Sequence, residues 1–482
     1  MSAASFIHHA LTTESIMKLL LAFMVLFLYH YRSRAIESRQ KRDIKEPRGS
    51  LPLLGHSRLL AAVPDSRLHH FFEKQSQELG PVWSMTLPIF GRIIQIDSPQ
   101  LIEYVLRTNF WNYTKGPMVL DILKDLGGDE GIATSEGNKW KFQRKLAARI
   151  FSVKDFQEHS NNVFVAEGKK VIDYLGKAAD EGSVVDMKPL VLAYTLDCLG
   201  AIAFGRLVDP VWKIRERLTD VGRKVKYHRD VIRNHALGII KERGENGHPA
   251  KKSDFLQYLM ESFDDEGQPL TEDMIIDNIL NIMNAGRESM ASALTWMFYS
   301  LYRQDTDKGI ANTLVQEVDD ILGGSDPAYD TYKKQKFAEA CFNETLRLFP
   351  ALPRIMRYCG SNDVLPDGTK VYAGEYVSWS LYAMGRSEAV WGPDAKEFKP
   401  SRWINSPKPS QGKFNAFGGG PRVCMGQQFA VNQVVTIMGM ILQSFKVCLE
   451  EPSKEQDYGV SFILPMRDGL MVRVSRRQPC EP

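Results

Sequence analysis

The residue with the most distinctive chemical setting in this chain is Cys424, within the segment FGGGPRVCMG at positions 417–426. Three glycines precede it, and without side chains they let the backbone approach a flat cofactor closely. A helical pattern follows the segment, so backbone amides at a helix N-terminus would favour a thiolate there. A metal-binding thiolate requires these features. A buried cysteine in a glycine-rich turn has the same composition, and the residues alone leave both interpretations open.

The other five cysteines lack such a setting, and they are Cys198, Cys341, Cys359, Cys448 and Cys480. They stand singly, without CxxC pairs or histidines at zinc spacing, so the sequence predicts neither a disulfide framework nor a zinc site. Single thiols suit a reducing compartment. The net charge of +3 is too small to indicate nucleic-acid binding, and we expect no nucleic-acid partner.

Two motifs place polar side chains one helical turn apart. Glu344 and Arg347 share a predicted helix face in ETLR, and Trp140 and Arg144 share one in WKFQR. Taken alone, the first motif is typical of a surface ion pair and the second of a surface cation–π pair.

A long apolar stretch at about 271–303 predicts a central buried helix with Thr271 as its N-cap. The segment AGRES at 285–289 interrupts it, because glycine costs about 1 kcal/mol relative to alanine inside a helix. Glu288 and Ser289 also place polar groups where we expect burial, which carries an energetic cost. Such a conflict marks either a packing constraint or a functional site. The lone Gly286 by itself favours packing.

The remaining patterns define the fold class. Residues 82–96 predict two strands that turn near Gly91, and further short strands are predicted at 370–372, 462–464 and 470–474. Helical patterns dominate elsewhere, so we predict a mainly α fold with minor β-sheets. No linker or repeat divides the chain after residue 55, which predicts one domain over 56–482.

The N-terminal region, residues 1–31, predicts a transmembrane anchor helix at about 15–31, where an apolar run lies. A basic, proline-containing linker follows over 32–55, whereas residues 1–15 contain no lysine or arginine. The positive-inside rule therefore places the large domain in the cytosol. A cleaved signal peptide would have positive charges before the apolar run and small residues after it, and neither is present. We therefore expect a retained single-pass anchor rather than a cleaved peptide or a monotopic helix.

The cysteine segment resembles the haem loop of the cytochrome P450 superfamily, FxxGxRxCxG. The motif is met at Phe417, Gly420, Arg422, Cys424 and Gly426. The resemblance implies the cytochrome P450 fold, a haem b cofactor, and Cys424 as the proximal ligand to its iron. It also implies that Phe417 and Gly426 are haem-binding residues.

Other segments resemble further parts of the same family. By this resemblance the haem propionates are bound by Trp140, Arg144, Arg357 and Arg422, and a buried cluster forms from Glu344, Arg347 and Arg402. AGRES resembles the oxygen-activation segment, with Glu288 at the acid position and Ser289 at the alcohol position as the catalytic residues. The family usually has threonine where Ser289 stands, so the hydroxyl is kept and the methyl group that restricts its rotamers is lost.

The implied activity is insertion of one oxygen atom from O2 into a C–H bond of a hydrophobic substrate. The resemblance implies electrons from NADPH through NADPH–cytochrome P450 reductase, cytochrome b5 as a further partner, and an endoplasmic reticulum membrane. NYTKGP at 112–117 and the 128–145 stretch look like the fungal branch that hydroxylates alkanes and fatty acids. A long-chain fatty acid or alkane is therefore the first expectation for the substrate.

Other functions remain open at this level. A tailoring oxygenase of terpenoids or polyketides, a haem protein that binds without activating oxygen, and an isomerase or dehydratase are the alternatives. Arg354, in ALPRIMR, is unusual for the fungal branch. It either points away and makes an ordinary ion pair or meets a substrate carboxylate or other oxygenated group. Candidate pocket residues are Trp111, Tyr113, Met118, Leu120, Leu123, Ile282, Ala285 and positions 462–464.

Overall fold

The computed structural model describes residues 44–204, 233–243 and 254–477, apart from positions 52, 53, 89, 235 and 460, together with residues 18, 21, 22, 24 and 25. The predicted anchor at 15–31 lies outside the described residues except for those five N-terminal positions, which are helical. Of these, Leu21, Met24 and Val25 are exposed.

Helices make up most of the described chain. They are α1 (Ser57–Ala61), α2 (Leu68–Leu79), α3 (Pro99–Glu103), α4 (Pro117–Gly127), α5 (Gly137–Ser152), α6 (Lys154–Glu181), α7 (Met187–Phe204), α8 (Phe255–Met260), α9 (Glu272–Tyr302), α10 (Lys308–Leu322), α11 (Tyr329–Tyr332), α12 (Lys336–Leu348), α13 (Leu381–Gly385), α14 (Glu388–Trp391) and α15 (Gln427–Ser444).

Strands are short and few. They are β1 (Val82–Leu87), β2 (Gly91–Ile96), β3 (Tyr113–Thr114), β4 (Val184–Asp186), β5 (Arg354–Cys359), β6 (Asp363–Val364), β7 (Lys370–Val371), β8 (Tyr376–Ser380), β9 (Phe445–Leu449) and β10 (Met471–Arg476). The prediction of a mainly α fold with minor β-sheets is confirmed.

The chain forms two compact units, of which the first comprises residues 1–114 and 354–383. Its five-stranded sheet has the order β1-β2-β8-β5-β3, and a two-stranded sheet joins β6 to β7. β1 and β2 pair antiparallel, with Val82 opposite Ile96, and β2 runs parallel to β8. Alternation of apolar side chains lets one face of the sheet pack on α2, where Phe72 stacks on Trp83 with 6.0 Å between ring centroids.

The basic linker is ordered where it meets the first unit. The Ser84 amide donates to the Lys45 carbonyl at 2.9 Å. The fully buried His56 accepts from the Thr86 amide through Nδ1 at 3.1 Å, so Nε2 carries the proton and donates to the Pro47 carbonyl at 3.0 Å. The end of the linker is thus hydrogen-bonded to the sheet.

The second unit comprises residues 115–353 and 384–482, with α9 as its longest helix. α9 has 31 residues and is therefore about 46 Å long at 1.5 Å per residue. As predicted, Thr271 is its N-cap and accepts from the Met274 amide at 3.2 Å. α9 packs against α7, α12 and α4, and the strand order of the unit's sheet is β4-β10-β9.

One element expected from the sequence does not form. Residues 462–464 do not form a strand, because the segment bends between the isolated bridge partners Tyr458 and Met466. Among the described residues, α7 is the one helix long and apolar enough to cross a membrane, and 61% of it is buried within the protein. Its packing against α6 and α9 makes it a core helix.

Candidate active site

The cysteine loop is folded back on itself by its glycines. Gly418 and Gly420 have φ values of 72° and 61°, in the left-handed region that favours glycine. The turn brings the Cys424 amide 2.8 Å from the Phe417 carbonyl, which accepts its hydrogen bond. The Phe417 ring contacts Phe342 edge-on, with 6.2 Å between centroids. The loop is therefore closed by the backbone and anchored by an aromatic contact.

The Cys424 thiol is exposed, whereas Cys198, Cys341 and Cys359 are buried. Desolvation by surrounding protein nevertheless raises its pKa, while the Gly426 amide and the Arg144 cation lower it. The amide contribution expected from the sequence is present, but desolvation outweighs it. Coordination to a metal reverses that penalty, because a coordinating thiol is deprotonated.

Two guanidinium groups and an indole lie around the loop. Arg144, on α5, donates through Nη1 to the Val423 carbonyl. The Arg422 guanidinium lies 4.4 Å from the centroid of the Trp140 ring, a cation–π distance. Desolvation lowers the pKa of both arginines, as expected for cations that the protein partly removes from water. Such cations attract anionic groups more strongly than exposed ones do.

Sequence reasoning missed the partner of Arg422. The Arg422 guanidinium donates to the Glu136 carboxylate and, at 3.2 Å, to the Ser135 carbonyl. Glu136 lies immediately before α5, where a carboxylate also complements the helix dipole. That position was the signal available in the sequence.

The residues around Cys424 fit a haem by the chemistry of their donor groups. An accessible thiol matches an iron ligand, and two desolvated guanidiniums and an indole N–H match hydrogen-bond donors to two carboxylates. The second unit brings together Trp140, Arg144, Arg422 and Cys424. Arg357 belongs to the first unit, on β5, where its Nη1 donates to the Met356 carbonyl at 2.9 Å.

Part of the middle of α9 is exposed, although most of the helix is buried. Ala285 and Glu288 are exposed and Ser289 is half-buried, whereas residues 290–301 are buried. The expectation of burial is therefore wrong for Glu288, which is exposed, whereas Arg287 and Ser289 are half-buried. The Ser289 hydroxyl donates to the Ala285 carbonyl at 2.6 Å.

Gly286 has the packing role that its composition favours. A Cβ at this position would lie 3.1 Å from both methyl groups of Leu199 on α7. Thr195, one turn earlier on α7, donates to the Arg287 carbonyl at 3.0 Å. Glycine thus allows the two helices to approach closely at the segment that carries Glu288 and Ser289.

Glu344, Arg347 and Arg402 form one cluster in the second unit. The Glu344 carboxylate accepts from Arg347 Nε at 2.7 Å and Nη2 at 2.8 Å, and from Arg402 Nε at 3.2 Å. The Lys399 amide and Trp403 Nε1 also donate to it, at 2.8 and 3.0 Å. Arg347 further donates to the carbonyls of residues 385, 395 and 397. The cluster ties α12 to the segment that follows α14.

The candidate pocket residues differ in exposure. Trp111 is 61% exposed, whereas Tyr113 is buried and donates to Asp363 at 2.8 Å, so Tyr113 is a structural residue of the first unit. Residues 118, 120 and 123 on α4 are exposed or half-buried, as are Ile282 and Ala285. Phe462 is exposed, but Leu464 is buried and its carbonyl accepts from Ser292 and Trp296.

Comparison with known proteins gives a consistent answer. The family model for cytochrome P450 matches residues 45–216 and 206–470. The chain belongs to the cytochrome P450 family. Cytochrome P450 monooxygenase cyp1 of Mycosarcoma maydis is 32% identical, over 94% of this chain and 78% of its own length. Cytochrome P450 704C1 of Pinus taeda is also 32% identical, over 89% and 93%, and cytochrome P450 94B1 of Arabidopsis thaliana is 29% identical, over 84% and 86%.

Membership settles the broad chemistry of this cytochrome P450. The protein is an oxidoreductase of a monooxygenase family that uses haem, O2 and electrons delivered by a redox partner. Hydrophobic molecules are the usual substrates of the family. The names of these relatives give no substrate for this chain.

Proposed function

We propose that this protein is a haem-thiolate monooxygenase in which the Cys424 thiolate would hold the iron of a haem b. The observation that carries the proposal is the Cys424 thiol, accessible yet desolvated, between the Gly426 amide and the Arg144 cation. A haem with a thiolate ligand supplies O–O bond cleavage, because the sulfur donates electron density to the iron. The amide and the cation stabilise negative charge on the sulfur.

The propionate groups would be bound by Arg144, Arg422 and Trp140, with Arg357 as a further donor. Paired guanidiniums compensate two carboxylates that leave bulk water. Arg422 is held in place for this by Glu136, which neutralises part of its charge, and by the Trp140 ring.

Ser289 and Glu288 would supply protons to the reaction. The Ser289 hydroxyl proton is directed to the Ala285 carbonyl, which leaves its oxygen lone pairs free to accept from a water molecule. Rotation about χ1 would then free the Ser289 hydroxyl to donate its proton elsewhere in the site. Serine rotates more freely than threonine, so this transfer is less tightly ordered than with threonine. The exposed Glu288 can exchange protons with solvent.

We propose a long-chain fatty acid or alkane as the substrate and a fungal branch for the enzyme. Exposed apolar side chains on the second unit support a hydrophobic ligand, among them Ile122 on α4 and Phe462. Arg354 does not argue for an oxygenated substrate, because its guanidinium already donates to Ser378 at 2.7 Å and Gln95 at 3.1 Å. We therefore expect Arg354→Leu to weaken acid and alkane binding equally, measured by spectral titration. A loss confined to the acid would show an anion-binding role.

The cellular setting is part of the same proposal. An N-terminal single-pass anchor would hold the protein in the endoplasmic reticulum membrane with its catalytic domain in the cytosol, and NADPH–cytochrome P450 reductase and cytochrome b5 would deliver electrons. The basic linker after the anchor supports this orientation through the positive-inside rule.

The ligand assignment is tested by the absorption of the reduced protein under carbon monoxide. We expect the red-shifted Soret band of thiolate ligation in the wild type and its loss in Cys424→Ser. Cys448→Ser is the matched control, since Cys448 is also exposed. Folded wild-type protein without that band would overturn the proposal. Spectral screening of fatty acids, alkanes and terpenoids, followed by product analysis with reductase and NADPH, then identifies the substrate class.

A further inference from the structure

The loop at residues 127–136, between α4 and α5, is fixed on the central helix by two side chains. Asp277 Oδ2 accepts from the Glu130 amide at 2.9 Å, and Asn281 Oδ1 accepts from the Ala133 amide at 3.0 Å. Asn281 Nδ2 donates to the Gly127 carbonyl at 2.8 Å. Asp277 and Asn281 lie one turn apart on α9 and are 3% and 6% exposed. Two buried side chains thus bind the backbone of the loop.

Two glycines make this docking possible. A Cβ on Gly128 would lie 2.2 Å from Asp277 Oδ1, and a Cβ on Gly131 would lie 1.8 Å from Asn281 Nδ2. Both distances are far shorter than van der Waals contact. Only a residue without a side chain fits where the loop crosses α9.

The other end of the same loop reaches the cysteine site. The Ser135 carbonyl and the Glu136 carboxylate both accept from Arg422, two residues before Cys424. On α5, one turn from Trp140 and next to Arg144, Gln143 donates through Nε2 to the Glu130 carbonyl at 2.6 Å. The loop is therefore bonded to α9, to α5 and to the cysteine loop.

We propose that Asp277 and Asn281 are positioning residues for the cysteine site. They hold the 127–136 loop, and the loop in turn fixes Arg422 and the start of α5, which carries Trp140. This inference rests on the proposed function, because the groups that it positions are those assigned to the haem. Removal of a residue that orients the metal-binding groups without touching the metal typically lowers metal affinity or activity by about 10- to 100-fold.

The first test compares two asparagines of the same helix. Asn281→Ala removes both hydrogen bonds to the loop, whereas Asn278→Ala removes a bond to the Met274 carbonyl within α9, from a residue that is also buried. We expect Asn281→Ala to release haem to an acceptor protein roughly 10-fold faster than the wild type. We expect Asn278→Ala to release it at close to the wild-type rate. The fraction of thiolate-ligated carbon monoxide complex, measured over time, gives a second spectroscopic readout.

The second test is a rescue. Gly131→Ala should accelerate haem loss, because its methyl group collides with the Asn281 amide. In Gly131→Ala/Asn281→Ala that amide is gone, so the double variant should lose haem no faster than Asn281→Ala alone. Strong non-additivity of this kind indicates direct contact between the two positions.

The outcomes separate the inference from the proposed function. Wild-type protein without the thiolate band would overturn the proposed function itself. A wild type with the band, together with Asn281→Ala that keeps haem as well as Asn278→Ala does, would overturn the positioning role alone. Altered substrate-binding rates with unchanged haem loss would likewise overturn it, since the loop would then control access only.

Discussion

Each unit contains a network of an arginine and a carboxylate. The two networks differ in how they compensate the charge of the desolvated arginine. In the second unit Arg347 contacts Glu344 directly through two parallel hydrogen bonds, and both residues are almost fully buried. In the first unit Arg354 and Asp97 interact through Gln95, which accepts from Arg354 at 3.1 Å and donates to Asp97 at 2.9 Å. A direct bidentate pair compensates desolvation far better than a relayed one.

The pKa values of the relayed pair record the incomplete compensation. Desolvation lowers the pKa of Arg354 to about 10, although the charge of Asp97 opposes this. Desolvation also raises the pKa of Asp97, despite hydrogen bonds from Ser76, Ser380 and Gln95. The guanidinium of Arg354 further lies 3.8 Å from the centroid of the Phe72 ring. The charge of Arg354 in the first unit is therefore only partly compensated, whereas the charge of Arg347 in the second unit is paired directly with Glu344.

Removal of Glu344 should give the largest effect. Glu344→Ala leaves Arg347 and Arg402 without their shared carboxylate in the interior, which should cost about 3–5 kcal/mol of unfolding free energy. Urea unfolding followed by circular dichroism measures this. Glu339→Ala on the same helix is the matched control, because Glu339 pairs with Lys336 at the surface and should cost below about 1 kcal/mol. Equal costs would show that burial does not distinguish the two pairs.

Ser378 gives the next largest effect, because it is the acceptor of Arg354 Nε at 2.7 Å. Ser378→Ala retains the desolvated charge and removes a hydrogen-bond partner, so it should cost about 1–3 kcal/mol. The same urea titrations measure the cost. Stability equal to that of the wild type would mean that water or another group replaces the hydroxyl.

Replacement of Arg354 should change the unfolding free energy less than replacement of its acceptor Ser378 does. Arg354→Met replaces a poorly compensated charge by an apolar chain next to Phe72, and such replacements are often neutral, so we expect a change below about 1 kcal/mol. Arg354→Met/Ser378→Ala should be no less stable than Ser378→Ala, because the charge that needed the hydroxyl has gone. A double variant much less stable than either single variant would show that Arg354, like Arg347, stabilises the folded protein.

The smallest effect is a pH dependence from Asp97. Its folded pKa is raised above the ordinary 3.8, so the folded state binds this proton more tightly than the unfolded state. The contribution to stability is therefore present at low pH and is lost as pH rises from about 3.8 through the folded pKa. The unfolding free energy of the wild type should fall relative to Asp97→Asn over that interval. A constant difference between them would contradict the raised pKa.

Local patterns in the sequence predicted much of the architecture. The strand pair at 82–96 and the capped helix from Thr271 follow from residue alternation and from one side-chain oxygen at a helix start. The Glu344–Arg347 contact follows from its i, i+3 spacing. The turn of the cysteine loop requires positive φ at Gly418 and Gly420, which glycine adopts readily.

Other features depend on segments that are far apart in the chain. Residues 462–464 looked like a strand, yet their backbone bends and the Leu464 carbonyl accepts from Trp296 on α9. The AGRES segment looked buried, yet Ala285 and Glu288 are exposed. The partners of Gly128 and Gly131 lie more than a hundred residues away.

The sequence by itself thus determined most of the helices and strands and which thiol lies in a glycine-rich turn before a helix, because helix caps, turn glycines and side-chain periodicity act within a few residues. Only the tertiary structure decided which charges are compensated and which loop reaches the cysteine site. Desolvation and close contact depend on what surrounds a side chain in space, and the order of residues along the chain does not encode that directly.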